Sequence, residues 1–303
     1  MHISELTGVA ENTHVEPVPL WMRGAFRRRS ITFANGLTDA DTRVFWLQSQ
    51  GLTIDLRLPL ISEQKAYHSD DEHAGQYEAW YGYSHWDGAL LDWSGGVSYQ
   101  LHNRWPEPAI LRRTGNCMME FAPSGIYVED WRLLSDESGP LIGLELLSEK
   151  HIASGRVTQR SGALIICGRI AGLVLDRPPL TSKGGPLAER LLSQSEAEKD
   201  ALRGFETAIG TGSLDDGFTV IHALHYGRTG QNLCPLDGFE YDAEPGFVRQ
   251  VLMHNGELTE RRYRVDTFQP EFPFSAATQA EEQARRWYRS ERLTLARYLK
   301  KVT

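Results

Sequence analysis

The amino-acid sequence predicts a mainly β protein: antiparallel β-barrels with a linking helix between them and a C-terminal helix. Three observations carry that expectation. Short apolar or aromatic runs recur at intervals of about 8–12 residues, separated by Gly, Asn, Asp or Ser, which is the spacing of hairpin-built sheets. Many of the runs alternate polar and apolar residues, the period of a strand. Two stretches break the pattern with helical spacing instead.

Residues 1–19 are polar, contain two prolines and few apolar anchors, and read as a flexible N-terminal arm. From Leu20 the strand-like runs begin: ITFANG, TRVFWLQSQG, LTIDLRLP, QYEAWYGYS, ALLDWSGG and VSYQLHNRW, then NCMMEFAPSG, IYVEDWRLLSDESG, PLIGLELLSE, SGRVTQRSG, ALIICGRI and AGLVLDRPP. They amount to about ten to twelve strands before Pro178-Pro179, and an open sheet of that size curls or closes. Residues 20–180 are therefore expected to form one β-barrel domain. PLAERLLSQSEAEKDALRGF reads as a helix opened by Pro186, with Leu187, Leu191 and Leu192 as its apolar stripe. GFTVIHALHYG, GFVRQVLMHNG and ELTERRYRVDTF return to strand, with Asn255-Gly256 at a hairpin turn. TQAEEQARRWYRSERLTLARYLKKV reads as helix. Thr278 and Glu281 suit a capping box, Arg297, Lys300 and Lys301 suit its end, and Ala280, Ala284, Trp287, Leu295 and Tyr298 trace one face, interrupted by Glu291. Residues 181–303 thus make the linking helix, a second, smaller β-domain and the C-terminal helix.

Composition bounds the function. The 303 residues are 41% hydrophobic and 24% charged, values of a globular chain. The net charge of -8 disfavours nucleic acid, and the short run Arg27-Arg28-Arg29 splits between two strand faces. No apolar run approaches the length of a membrane span and the N-terminus lacks a signal-peptide core, so neither membrane nor export is expected. Cys117, Cys167 and Cys234 are few, odd in number and widely spaced, which suits a reducing, cytoplasmic location. Phosphate-binding loops, dinucleotide fingerprints, HExxH and GxSxG are all missing, and no cofactor is expected. Arginine far outnumbers the six lysines, and tryptophan is plentiful at eight. High-GC codon usage is one source of such an arginine bias, and both residue types also favour recognition surfaces.

Few residues suggest chemistry. The loop His68–His73 mixes carboxylates and imidazoles, but a solvated acidic loop explains it, and no metal is expected. His222 and His225 fall on opposite strand faces and cannot chelate together. His85-Trp86 and His102-Asn103-Arg104-Trp105 place aromatic and basic groups on adjacent strands, where they either line a cavity or plug the barrel and face solvent. In LTIDLRLP, Asp55 and Arg57 share one face and Ile54, Leu56 and Leu58 the other. In IYVEDWRLL, Tyr127, Glu129 and Trp131 share a face. If the polar faces turn inward, Arg57, His102 and Glu129 are buried ionisable groups, which need partners or a ligand. An inward Arg57 is then either a structural partner for Glu129 or an anchor for a ligand carboxylate. If the apolar faces turn inward, all three lie on the surface. Periodicity leaves this choice open.

The run from Trp80 to Glu149, with the strands before it, resembles the lipocalin-like (calycin) two-barrel proteins related to a yeast protein of that type and its bacterial and fungal relatives. The carrying residues are Val44-Phe45-Trp46-Leu47-Gln48, Ile54-Asp55-Leu56-Arg57, Trp93, His102-Asn103-Arg104, Met119-Glu120-Phe121 and Tyr127-Val128-Glu129-Asp130-Trp131-Arg132. Asn103 stands where that pattern has an acidic residue. The resemblance implies paired barrels and a small-molecule cavity, in a group whose function is largely unassigned.

Three readings follow. The first is a binding protein for a small apolar or amphipathic molecule, with Arg57, His102 and Glu129 fixing its polar end and Trp46, His85, Trp86, Tyr127 and Trp131 contacting its body. The second is a cofactor-independent isomerase, lyase or hydrolase, with His102 or Glu129 as acid/base and Arg57 steadying an anion. The third is a filled barrel serving as an interaction module, with a homodimer surface of Trp and Arg.

Overall fold

A computed structural model describes residues 1–11, 16–59, 74–101, 107–135, 137–180, 185–254 and 256–299. The first sheet is built from β1 (Gly24–Phe33), β2 (Thr38–Asp39), β3 (Arg43–Gln48), β4 (Leu52–Leu58), β5 (Glu78–Trp86), β6 (Leu91–Ser98), β7 (Ile110–Thr114), β8 (Cys117–Phe121) and β9 (Tyr127–Leu133). Its spatial order is β6-β5-β4-β3-β1-β9-β8-β7, with β2 paired to β1 and all pairs antiparallel. The sheet curls, and its two edges touch at one isolated bridge. Leu91 in β6 and Ala109, just ahead of β7, exchange both backbone hydrogen bonds, at 2.9 and 2.7 Å.

The chain then changes sheet. β10 (Gly139–His151), β11 (Val157–Cys167) and β12 (Ile170–Leu175) open the second sheet. Helices α1 (Leu187–Ser193) and α2 (Glu196–Arg203) follow, and then β13 (Glu206–Ser213), β14 (Gly217–Ala223), β15 (Phe239–Tyr241), β16 (Phe247–His254) and β17 (Glu257–Phe272). The order is β14-β13-β12-β11-β10-β17-β16-β15, again antiparallel. α3 (Glu282–Leu295) comes last. The change of sheet therefore falls between Leu133 and Gly139, well before Pro178-Pro179. Twelve strands do precede the double proline, but three of them belong to the second sheet. The predicted β16–β17 hairpin forms, with His254 opposite Glu257.

Strand alternation sorts the apolar residues into three layers. Phe26, Val44, Trp46, Leu111, Met118, Trp131 and Leu133 fill the inside of the first sheet's curl. Ile142, Leu144, Leu164, Ile166, Leu173, Phe218, Phe239 and Val265 fill the second. Between the sheets lies a third layer: Phe45, Leu47, Ile54, Leu56 and Tyr81 from the first sheet meet Leu141, Ile165, Cys167, Val174 and Ile209 from the second. β4 consequently has both faces covered. Ile54, Leu56 and Leu58 face the second sheet, while Thr53, Asp55 and Arg57 face into the curl, and this settles which way the polar face of LTIDLRLP turns.

Polar clamps fix the two sheets at the β3–β4 turn. Ser49 Oγ donates to Asp266 Oδ2 at 2.5 Å, the Gly51 N–H donates to the same oxygen at 3.2 Å, and the Gln50 N–H donates to Thr267 Oγ1 at 3.0 Å. A second clamp joins Tyr83, whose hydroxyl donates to Glu145, to Arg264, whose Nε donates to Glu145 Oε2 at 2.9 Å.

Residues at the chain start also pack. Ile3 and Leu6 are fully buried in the second core, and Met1 exchanges two backbone hydrogen bonds with Phe239. The linking helix is interrupted: Ser195 leaves helical geometry and caps α2 by accepting from the Glu198 N–H. At α3, the expected Thr278–Glu281 capping box does not form. Thr278 Oγ1 instead accepts the Gly115 N–H at 2.9 Å, and the helix starts after Glu281. All three cysteines are free thiols.

Candidate functional site

The inside of the first sheet holds a cavity lined by Trp46, Asp55, Arg57, Trp80, Trp93, Glu120 and Trp131. Its total empty space, counting the mouth, is about 310 Å³, but the free centre is only about 20 Å³. That centre takes roughly one water molecule.

Register explains why these residues converge. β3 pairs with β4 so that Trp46 lies opposite Asp55, and β4 pairs with β5 so that Asp55 lies opposite Trp80. Across the curl, β8 pairs with β9 so that Met118 faces Trp131 and Glu120 faces Glu129. A β-bulge between Tyr81 and Tyr83 offsets β5 from β6 and brings Trp93 edge-on to Trp80, with ring centroids 6.2 Å apart.

The aromatic wall is ordered by its own contacts. Trp46 stacks on Phe26 at 5.3 Å and meets Trp131 edge-on at 5.6 Å. Its Nε1 donates to Thr53 Oγ1 at 2.7 Å, and Trp131 Nε1 donates to Glu120 Oε2 at 3.0 Å. The Nε1 atoms of Trp80 and Trp93 differ: both are buried, and neither has an acceptor among the described residues.

Two arginines neutralise most of the buried acid. Arg57 grips Asp55 with two hydrogen bonds, at 2.8 and 3.2 Å. Burial pulls the Arg57 pKa down, but the charges of Asp55, Glu129 and Glu78 outweigh it and leave the pKa raised. Arg28 donates to Glu129 at 2.6 Å and to Asp39 at 2.8 Å. Glu120 has no such cation. Its Oε1 accepts from the Tyr127 hydroxyl at 3.2 Å and its Oε2 from Trp131. Burial first, and then the negative charge of Glu129, push its pKa up to about 8, against the pull of Arg57 and the two hydrogen bonds. The raised pKa favours the protonated form of Glu120, which can donate a hydrogen bond.

Three of the eight residues expected from sequence line the cavity: Arg57, Trp46 and Trp131. Glu129 is buried beside it, ion-paired to Arg28, and its charge also acts on Arg57. Tyr127 is buried at the Ile31–Ala122 end of the curl and reaches the site through Glu120. Trp86 packs inside the curl, edge-on to Trp21 at 6.0 Å, away from the cavity lining. His85 is exposed on the opposite strand face, bonded to Ser94 Oγ at 2.6 Å. His102, with Asn103, Arg104 and Trp105, lies outside the described residues, as does His68–His73.

His222 and His225 do not meet. His222 packs against Phe45 with the rings tilted at 32° and centroids 4.9 Å apart, and His225 Nε2 bonds the Phe205 carbonyl oxygen at 2.8 Å. Among the described residues no cluster of His, Cys, Asp or Glu could hold a metal ion. Nor is any helix among them long and apolar enough to cross a membrane.

Sequence reasoning missed Asp55, Trp80, Trp93, Glu120 and Arg28 as site residues. A signal for Glu120 was present: a hairpin turning at Pro123–Gly125 places Glu120 opposite Glu129 and Met118 opposite Trp131, on the face already suspected. No protein-family model, curated protein or solved structure matches the chain.

Proposed function

We propose that the first curled sheet is a lipocalin-like barrel that binds a small amphipathic molecule, whose polar head enters the tryptophan-lined cavity. One observation carries this reading: the indole N–H groups of Trp80 and Trp93 border the cavity, are buried, and lack an acceptor among the described residues. A buried unsatisfied donor costs about 1–3 kcal/mol, and an acceptor supplied by a ligand removes that cost. The head is a neutral acceptor such as a carbonyl oxygen. Asp55 and Glu129 repel an anion, while Arg57 and Arg28 are already engaged by carboxylates. Neutral Glu120 adds a third donor. The narrow centre admits only the head, and the body lies toward the mouth along the indole rings. Free thiols, two of the three buried, suit a reducing compartment such as the cytoplasm.

Titration of tryptophan emission with small amides and ketones tests the reading. Saturable quenching is expected, weakened at least severalfold in Trp80→Phe and in Trp93→Phe, which keep the ring and remove the donor. No response across the panel, or equal affinity in both variants, overturns it.

A second reading rests on Glu120 alone. A carboxyl inside a cavity whose pKa burial and the charge of Glu129 push up is placed for proton transfer, as a cofactor-independent isomerase, lyase or hydrolase requires. Glu120, not Glu129, would then be the acid/base. Turnover that follows an apparent pKa near 8 and disappears in Glu120→Gln supports this reading, and turnover surviving that substitution removes it.

A further inference from the structure

α3 presents an amphipathic face that is largely exposed in the described structure, with only Glu291 and Leu295 partly covered. None of its residues is buried. Trp287 is 59% exposed, and Tyr298, just past the helix end, is 74% exposed. Helical spacing puts Ala284, Trp287, Tyr288, Leu295 and Tyr298 on one half of the helix and Arg285, Arg286, Arg289 and Arg292 on the other. From Glu282 to Leu299 the sequence carries five arginines against two glutamates, within a chain of net charge -8. Arg285, Arg286 and Arg289 all pair with the single Glu282, at 3.2, 3.2 and 3.0 Å. Arg292 and Arg297 make no ion pair among the described residues. The helix is thus a cationic, aromatic-bearing element on an acidic protein, with unspent positive charge beside its apolar half.

We propose that α3 docks on an anionic lipid bilayer surface, its apolar half lying in the headgroup region. A basic polar face opposite Trp, Tyr and Leu, with low overall hydrophobicity, is the pattern of helices that lie in the membrane plane. Charge complementarity selects the partner: each arginine near an anionic surface strengthens binding, while the rest of the chain is repelled. Size argues against a second copy of the chain. A helix of 14 residues is about 21 Å long, and one face of it falls well short of the roughly 800 Å² per partner that a stable dimer buries. A bilayer sets no such minimum. Glu291, in the middle of the apolar half, opposes insertion and makes the attachment weak and reversible.

Co-sedimentation of the full chain with vesicles provides the test. Binding is expected to equimolar phosphatidylcholine–phosphatidylglycerol vesicles at low salt, with little binding to pure phosphatidylcholine. Arg292→Gln with Arg297→Gln should weaken it roughly tenfold or more, and Trp287→Ser with Leu295→Ser should abolish it. Glu291→Gln should strengthen it severalfold. Because no residue of α3 is fully buried, each variant should stay within a few degrees of the parent's thermal midpoint, so loss of binding is not loss of fold. The proposal is overturned by a chain that does not sediment with the anionic vesicles, or by variants that bind as the parent does. It is equally overturned if sedimentation velocity finds a dimer that the Trp287→Ser/Leu295→Ser substitutions dissociate, since a second copy then covers the face.

Discussion

At the scale of single residues, the inside of the first sheet is an electrostatic problem with one group left over. Asp55 and Glu129 each have an arginine, and Glu120 has only two neutral donors. Its raised pKa fixes a sign. The native state holds the Glu120 proton more tightly than the unfolded chain, so its contribution to stability is full below the unfolded pKa, about 4.5, and is lost as pH rises to about 8. Glu120→Gln should flatten that dependence, matching the parent at acid pH and exceeding it above pH 8 by on the order of a few kcal/mol. Urea midpoints across the pH range read this directly, and a parallel pair of curves would contradict it. The Arg28–Glu129 pair behaves differently, because both side chains are almost fully buried. Arg28→Met alone should cost about 3–5 kcal/mol by stranding a carboxylate, and Glu129→Met added to it should recover much of the loss. Urea unfolding of the two variants at neutral pH compares them. Sequence exposed Arg57 and Glu129 because strand alternation marks a face. It could not name Arg28 as the ion-pair partner of Glu129, because cross-strand partners depend on register across the β1–β9 ladder, which no local pattern contains.

Among the elements, β4 and α3 mark the two extremes of what a pattern can convey. LTIDLRLP alternates cleanly, and both of its faces prove useful: the apolar one faces the second sheet and the polar one faces the cavity. Periodicity could not choose between them, since an alternating strand covered on both sides reads the same in either orientation. α3 was legible as an amphipathic helix, but not its lack of a partner, because a stripe of Ala, Trp, Leu and Tyr is written identically for a core and for an interface. The linking segment shows the opposite loss. Its continuous helical pattern hides the break at Ser195, whose side-chain cap starts a new helix. The β5–β6 bulge depends on Gly95 and Gly96, both with positive φ. Gly96 has φ +69°, and a methyl group there would meet the Tyr81 carbonyl oxygen at 1.8 Å. Gly96→Ala should therefore destabilise strongly and displace Trp93 from Trp80. Near-ultraviolet circular dichroism, which reports packed tryptophans, should change with it, and an unaltered spectrum would refute the role given to the bulge.

The whole molecule is held by the layer between its sheets. That layer is the reason the change of sheet was not legible: hairpin signals are local, and β9 to β10 reads like any other pair of successive strands. Shared burial of Phe45, Leu47, Ile54 and Leu56 against Leu141, Ile165 and Val174 predicts that the sheets unfold together. Seven of the eight tryptophans lie before residue 135, so fluorescence follows the first sheet while far-ultraviolet circular dichroism follows both. The two denaturation curves should coincide. Gly143→Ala should shift both equally, since a methyl group there would press on Ser49 Oγ at 2.8 Å and Asp266 Oδ2 at 2.9 Å, within the clamp. The central claim is that the tryptophan-lined cavity receives the head of a bound molecule. Native mass spectrometry of the purified full chain, followed by denaturation and analysis of what is released, tests it most directly. The account predicts a stoichiometric, neutral, carbonyl-bearing molecule that is absent from the Trp80→Phe/Trp93→Phe double variant. A bare mass, or the same molecule retained by the double variant, would contradict it and favour an interior that is filled and structural.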